Sequence, residues 1–262
     1  MTEKNISTKT VPTWCPGCYN FMILAGVKNF LAKKKDLDKY AIVTGIGCHA
    51  KIFDYLNLPG INGLHGRVPP TALGMKVAKP DMKLIGFSGD GDAYSEGLSH
   101  TINAARYNAD WTYLIHNNQV FALTVGEPTP VTEKGFKDKA MPLGVKTEPL
   151  NPVKLMLSAG AGFVARVYAD VKQIEWILEE AEKHKGFKYI EVIQPCIIFH
   201  KNIGYKEKTY MLAEKGHDKT NWDEAMKRAN EFNYDTLNAE TKIPLGIFYQ
   251  MEKPVYEDGL KR

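Results

Sequence analysis

The chain has 262 residues, 44% hydrophobic and 24% charged, proportions that support a sizeable core and exclude a disordered or fibrous protein. Lys and Arg number 34 against 30 Asp and Glu, a net charge of +4. The only dense basic run, Lys33-Lys34-Lys35, reads as a solvated helix end and not as a nucleic-acid footprint. Four cysteines, Cys15, Cys18, Cys48 and Cys196, are too few and too uneven for a secreted disulfide scaffold, so a reducing cytoplasm is the expected compartment. Residues 1–10 are polar, and the apolar run Phe21–Val27 stops at Lys28, short of the ~20 residues of a membrane span.

From Cys18 to Lys34, Phe21, Leu24, Ala25, Val27 and Leu31 recur at helical spacing, with lysines gathered where the helix dipole favours them. Tyr40–Thr44 is a short β-type run broken by Gly45 and Gly47. Pro69 and Pro70 suit the first turn of a helix through Val77. Lys83–Ser88 and Trp111–His116 are two further strands, with helix-compatible Tyr94–Tyr107 between them. Val125–Pro152, with five prolines, breaks the rhythm and reads as a long surface excursion or a disordered loop. The alternation resumes in strand Phe163–Tyr168, helix Asp170–His184 and strand Tyr189–Ile193. Beyond Cys196 the chain becomes highly charged, with a helix over Asn221–Glu231 capped by Thr220 and a late strand at Leu245–Tyr249. This order predicts an α/β fold with a doubly wound, mostly parallel sheet and ligands at the C-terminal strand ends. Residues 1–196 are expected to form the main domain and residues 197–262 a small C-terminal appendage.

Cys15-Pro16-Gly17-Cys18 puts two thiols on a tight turn before a helix, where both sulfurs can face one point. Cys48 follows the first strand and Cys196 the last strand of the main domain, and parallel strands exit at one edge. The four can meet as a four-sulfur site for an iron–sulfur cluster or for Zn²⁺, and the spacing does not separate the two. Taken singly, the Cys-x-x-Cys pair fits half a zinc knuckle or a redox pair equally well, and Cys48 and Cys196 fit plain buried residues.

Strand Lys83–Ser88 runs into Gly89-Asp90-Gly91-Asp92, and the next strand ends in Asn117-Asn118-Gln119-Val120. One helix and one return strand separate them, so the two polar termini become neighbours. The glycines let the backbone approach a diphosphate. Asp90, the Asn118 amide oxygen and the Val120 carbonyl offer the hard oxygens that Mg²⁺ prefers when it is shared with phosphates. The plain alternative is a Gly-rich βα turn followed by an Asn turn.

Six ordered motifs then resemble the β subunit of 2-oxoacid:ferredoxin oxidoreductases, the group with the 2-oxoglutarate and branched-chain 2-oxoacid enzymes. They are Trp14-Cys-Pro-Gly-Cys18, Gly45-Ile-Gly-Cys48, Leu64-His-Gly-Arg67, Gly89-Asp-Gly-Asp92, Asn117-Asn-Gln-Val-Phe-Ala-Leu-Thr124 and Gln194-Pro-Cys196, spread over almost the whole chain. The resemblance implies a thiamine diphosphate-binding fold and oxidative decarboxylation of a 2-oxoacid to acyl-CoA and CO₂, with electrons passing to ferredoxin. It implies that Cys15, Cys18, Cys48 and Cys196 hold one 4Fe-4S cluster, and that Asp90, Asn118 and the Val120 carbonyl hold Mg²⁺. Gly91 and Asp92 match the diphosphate turn, while Ile46, Gly47, Cys48 and His49, with His65, Ala122 and Leu123, match the cofactor lining. Arg67 is a candidate for phosphate or partner contacts; a lone His65 would also suit a satisfied structural histidine. No catalytic side chain is assigned in this chain, because the carboxylate that activates thiamine is expected on an obligate α subunit.

Two departures bear on the substrate. Relatives often carry Lys or Gly followed by Gly-Gln after Leu-Thr, where this chain has Val125-Gly126-Glu127, and the absent lysine removes one charge-assisted bond to a dicarboxylate. His49 stands where relatives often have Ser. Two other readings compete: a non-catalytic electron-transfer or zinc-structured subunit, and a thiamine enzyme without ferredoxin, which would leave the cysteine set unexplained.

Overall fold

The computed structural model describes residues 5–200, 205–234 and 238–260. In chain order the elements are α1 (Asn20–Ala32), β1 (Tyr40–Thr44), β2 (Gly60–Asn62), α2 (Val68–Ala78), β3 (Lys83–Gly89), α3 (Leu98–Tyr107), β4 (Thr112–Asn117), β5 (Val120–Phe121) and β6 (Glu127–Pro128). There follow α4 (Pro152–Ser158), β7 (Phe163–Tyr168), α5 (Val171–Glu182), β8 (Lys188–Ile193), β9 (Thr209–Met211), α6 (Trp222–Ala229) and β10 (Ile243–Gln250). Eight strands form one sheet in the order β2-β1-β3-β4-β8-β7-β10-β9, parallel except where β10 pairs with β7. The parallel, doubly wound sheet matches the sequence reading.

The central strands β1, β4, β7 and β8 are buried along their whole length, which is why they read as near-continuous apolar runs. On one face α1 and α5 pack through Ile23, Val27 and Phe30 with Ile174, Ile177 and Leu178. On the other, Val68, Ala104, Met156 and Ala225 bring α2, α3, α4 and α6 into a second core. Gly26 sets the approach of α1 to α5: a Cβ there would lie 2.6 Å from Ile174 Cβ and 2.8 Å from the Val171 carbonyl oxygen.

The lysine run is the solvated helix end expected, and it also reaches α5: Lys33, 55% exposed, lies 2.6 Å from both Glu175 and Glu179, and Lys34 pairs with Glu182. Several other expectations change. Asn221, not Thr220, caps α6, its Oδ1 accepting from the Glu224 amide at 3.0 Å, because Asp218 already takes the Thr220 hydroxyl at 2.7 Å. The expected helix from Tyr94 begins as a π-helical turn, Asp92–Glu96. Within the proline-rich excursion the backbone is paired, Gly135 N–H to Val145 and Leu150 N–H to Pro130, each at 2.8 Å, and its end is the unanticipated α4, capped by Asn151. The stretch beyond Cys196 carries the expected late strand, here β10. It supplies β9 and β10 to the main sheet, and Phe232, Tyr234 and Phe248 to the core. Among the described residues no helix is long and apolar enough to cross a membrane.

Glu182, on the last turn of α5, gathers Lys34, Lys83 at 2.9 Å and the Tyr40 hydroxyl. Burial would raise its pKa, but the hydrogen bonds from Lys34, Tyr40 and Lys83 outweigh it and hold the carboxyl down to about 2. A depressed carboxyl stabilises the fold above its unfolded pKa, and that contribution disappears as pH falls through about 2. Glu182→Gln should therefore lose on the order of 1 kcal/mol at pH 7. The deficit relative to the parent should narrow steadily below about pH 4 when thermal unfolding is followed by circular dichroism.

Candidate active site

The register of the parallel sheet aligns four strand exits. Thr44 pairs with Phe87, Gly89 with His116 and Asn117 with Ile193, so the segments after β1, β3, β4 and β8 leave from one edge. Two cavities open there. The first, about 110 Å³, is walled by Ile46–His49, His65, Gly89–Asp92, Asn118 and Val120–Thr124. All the residues matched to cofactor and Mg²⁺ contacts stand on this wall. The second, about 130 Å³, is walled by Cys15, Cys18, Cys48 and Cys196 with Trp14, Lys51 and Ile197–Phe199. Asn20, Cys48, Asn118, Ala122, Leu123 and Gln194 belong to both walls. A further cavity of about 90 Å³, between Phe30, Tyr40, Lys83 and Lys188, lies at the opposite strand ends, away from every motif.

Asp90 is 1% exposed. Its Oδ1 accepts from the Asn118 amide at 3.2 Å and its Oδ2 from the Thr129 hydroxyl at 2.6 Å. Burial nonetheless pushes its pKa up to about 7 against those two hydrogen bonds. Asn118 Oδ1 accepts from the Val120 amide at 3.1 Å, closing a tight turn in which Gln119 takes a positive φ of 61°. That strained residue is held on both sides, its carbonyl by the Thr132 hydroxyl and its amide by Val131 and the Tyr205 hydroxyl. The turn thus presents an oxygen-rich edge beside Asp90, a donor set that fits a hard divalent cation, which would favour the ionised carboxylate.

Asp92 acts as a clamp. Its Oδ1 accepts from the Gly66 amide at 2.7 Å and the Ile46 amide at 3.3 Å, and its Oδ2 from the Ser88 hydroxyl at 2.5 Å. His65 Nδ1 lies 3.2 Å from Asp92 Oδ1 and 2.9 Å from Glu96 Oε2, without an in-line hydrogen bond to either. His49 is buried with Nε2 unpartnered 3.7 Å from Asp92 Oδ2, and burial first, then His65, pushes its pKa down to about 3, so the ring is neutral. Gly45 leaves room for this carboxylate, because a Cβ would fall 2.0 Å from Asp92 Oδ2. Arg67 stands off the cavity wall and donates to the Glu96 carbonyl at 3.3 Å.

The four cysteines are free thiols. Cys18 N–H donates to the Cys15 carbonyl at 3.0 Å, forming the tight turn, and Trp14 Nε1 donates to the Cys48 carbonyl at 2.7 Å, fastening that turn to the β1 exit. Burial raises the Cys18 pKa, and burial with Cys18 as the next cause raises Cys48 to about 11. Cys15 and Cys196 add to both, so the four sulfurs feel one another. Among the described residues no three His, Cys, Asp or Glu side chains close on a point small enough for a single ion. All four cysteines line the second cavity.

Sequence reasoning missed Thr129, which reaches Asp90 from the proline-rich excursion, and Tyr205, which reaches Gln119 from beyond Cys196. It also missed Asn20 and His116, neither of which lies in a chemical motif.

Comparison with known proteins adds independent findings. Residues 45–192, more than half of the chain, match the family described as thiamine pyrophosphate enzyme, C-terminal TPP binding domain. Residues 201–262 match the family described as the C terminal of the pyruvate ferredoxin oxidoreductase beta subunit. A 2-oxoacid:ferredoxin oxidoreductase subunit beta of Saccharolobus solfataricus is 38% identical over 253 residues, 91% of this chain and 82% of that one. The 2-oxoglutarate synthase subunit KorB of Archaeoglobus fulgidus is 38% identical over 193 residues, covering 73% and 72%. A solved 2-oxoglutarate:ferredoxin oxidoreductase from Magnetococcus marinus, with 2-oxoglutarate, coenzyme A and succinyl-CoA bound, superposes with a TM-score of 0.90 at 31% identity, covering 99% of this chain and 88% of that one.

Because Asp92 ties three segments through one carboxylate, Gly45→Ala should force that carboxylate aside. Urea denaturation should show a loss of about 1–3 kcal/mol. Hydrogen exchange should quicken at the Ile46 and Gly66 amides before it does in the core of β3.

Proposed function

Because this chain belongs to the β subunits of 2-oxoacid:ferredoxin oxidoreductases, with a thiamine pyrophosphate enzyme domain at its centre, we propose that its two adjoining cavities hold thiamine diphosphate with Mg²⁺ and one 4Fe-4S cluster. The observation that carries this reading is the shared wall: Cys48 lines both cavities, so a cofactor and a cluster would sit on opposite sides of one residue. Asp90, Asn118 Oδ1 and the Val120 carbonyl are the proposed Mg²⁺ ligands, and Cys15, Cys18, Cys48 and Cys196 the cluster ligands. Gly91 and Asp92 form the diphosphate turn, and Ile46, Gly47, Cys48, His49, His65, Ala122 and Leu123 line the cofactor. All four cysteines line the second cavity, which supports reading them as one ligand set.

When bound, thiamine diphosphate supplies the carbon nucleophile and electron sink for 2-oxoacid decarboxylation, and the cluster supplies a one-electron acceptor. The polypeptide contributes position and exclusion. Asp92 fixes the loops that carry Ile46 and Gly66, and the Asn118–Val120 turn stays rigid because Tyr205 and Thr132 hold Gln119. Ile46, Leu64, Leu123 and Val125 are 41%, 75%, 45% and 59% exposed around the mouth, an apolar rim suited to burial under an α subunit. We assign to that α subunit the carboxylate that activates thiamine, and we take ferredoxin, coenzyme A and a 2-oxoacid as the remaining partners, in the cytoplasm. Residues 1–196 carry the proposed ligands, and residues 197–262 brace them.

The enzyme purified anaerobically with its α subunit should contain about four irons with sulfide per β chain, together with thiamine diphosphate. Zinc in place of iron would overturn the cluster assignment, and cofactor without iron would point to a thiamine enzyme of another kind. Asp90→Ala should weaken Mg²⁺-dependent cofactor retention by more than the roughly 10- to 100-fold that loss of an outer-shell partner costs, while the cluster absorption persists. Loss of both signals together would show that the two sites are not separable.

A further inference from the structure

Between the two cavities lies a buried polar group that the reaction described above does not use. Asn20, at the start of α1, is 1% exposed, and His116, near the end of β4, is 2% exposed. Asn20 Nδ2 points at Cys18 Sγ across 3.6 Å, within reach of an N–H···S hydrogen bond, and Asn20 Oδ1 meets His116 Nδ1 at 2.8 Å. An amide oxygen can only accept, so His116 Nδ1 must carry the proton, and burial keeps the ring neutral. In this orientation the amide oxygen meets His116 and its NH₂ faces the sulfur, and the two contacts are consistent with one tautomer of a neutral ring. Gln194 approaches the same sulfur from the β8 exit, Nε2 to Sγ at 3.9 Å. The Gln194 side chain also lies against the His116 ring, so Asn20, His116 and Gln194 form one buried polar group on the wall of the first cavity.

We propose that Asn20 is a potential-setting residue for the cluster, donating an N–H to the Cys18 sulfur in an orientation fixed by His116, with Gln194 as a weaker second donor. The proposal rests on the four cysteines holding a 4Fe-4S cluster. Adding an electron raises the negative charge on the ligand sulfurs, and an N–H aimed at one of them stabilises the reduced state more than the oxidised state. Asn20 and Gln194 line both cavities, so the same amides that set the cluster's electron affinity also face the space where the electrons originate.

The test is an EPR-monitored redox titration of the anaerobic αβ enzyme. Asn20→Ala should leave iron and sulfide content unchanged and lower the reduced-to-oxidised ratio at fixed poise about tenfold, which for one electron is about 59 mV toward more negative potential. His116→Leu should shift it the same way by less, and adding His116→Leu to Asn20→Ala should produce no further shift, because His116 acts only through Asn20. Gln194→Leu should give a smaller independent shift. An unchanged midpoint in Asn20→Ala with the cluster intact overturns the proposal. Should Asn20→Ala lose its cluster, electron spin-echo modulation of the unsubstituted enzyme labelled with ¹⁵N-asparagine decides: a ¹⁵N coupling to the reduced cluster is expected, and its absence overturns the assignment. A parent enzyme without iron would instead overturn the cluster reading itself.

Discussion

Parallel strand pairing is the constraint on which the site depends. Strands that run the same way must all exit at the same edge, and the register brings those exits level, Gly89 opposite His116 and Asn117 opposite Ile193. Residues far apart in sequence then become neighbours without any loop having to reach far: Gln194 N–H donates to the Asn117 carbonyl at 2.9 Å, and Gly45 N–H to the Phe87 carbonyl at 3.2 Å. A one-residue slip in any of these pairs would turn side chains to the opposite face. Full burial of β1, β4, β7 and β8 on both sides makes such a slip costly, so the geometry of the edge is inherited from the packing of the core.

The residues after Cys196 take part in that inheritance. Arg166 on β7 and Glu191 on β8 form an ion pair at 2.7 Å, both side chains fully buried. Such a pair needs complete hydrogen bonding to offset its desolvation. Glu191 obtains it from Asn117 Nδ2 at 2.7 Å and from the Tyr234 hydroxyl, while the Arg166 guanidinium lies 5.3–5.6 Å from the ring centres of Phe232, Tyr234 and Phe248. Asn117 immediately precedes Asn118, and Tyr205 holds Gln119 on the other side. The C-terminal stretch therefore braces the Asn118–Val120 turn from within the core, which gives a buried ion pair of little net stabilising value a positional role.

What could be read from the sequence follows from how local each signal is. Strands β1, β3, β4, β7 and β8 were legible because burial on both faces leaves unbroken apolar runs. Gly89-Asp90-Gly91 and Asn117-Asn118 were legible because each is a compact turn with its own chemistry. Thr129 was not, since its hydroxyl matters only after a 39-residue separation closes onto Asp90. Asn20 carries no motif signal, and its significance depends on His116, 96 positions away. The tail was legible in part. Its late strand showed as an apolar run, whereas Phe232 and Tyr234 are scattered among charged residues, and only tertiary contact shows that they enter the core.

The electrostatics of the edge explain why it is suited to binding and not merely to folding. Two carboxylates, Asp90 and Asp92, and four thiols are gathered there, and among the described residues Lys51 is the only Lys or Arg on either cavity wall. Elsewhere the molecule pairs its buried charges internally, as Arg166 with Glu191 and Lys188 with Asp110. Here it does not, and burial favours the neutral forms instead, Asp90 near pH 7 and Cys48 near pH 11. Lys51 offsets only part of the burial at Cys48. An acid left without an internal counter-charge in a wall this well packed destabilises its own ionised form unless positive charge comes from outside the polypeptide. Mg²⁺ beside Asp90 and iron beside the thiols, as proposed, would each bring that charge to the group that needs it.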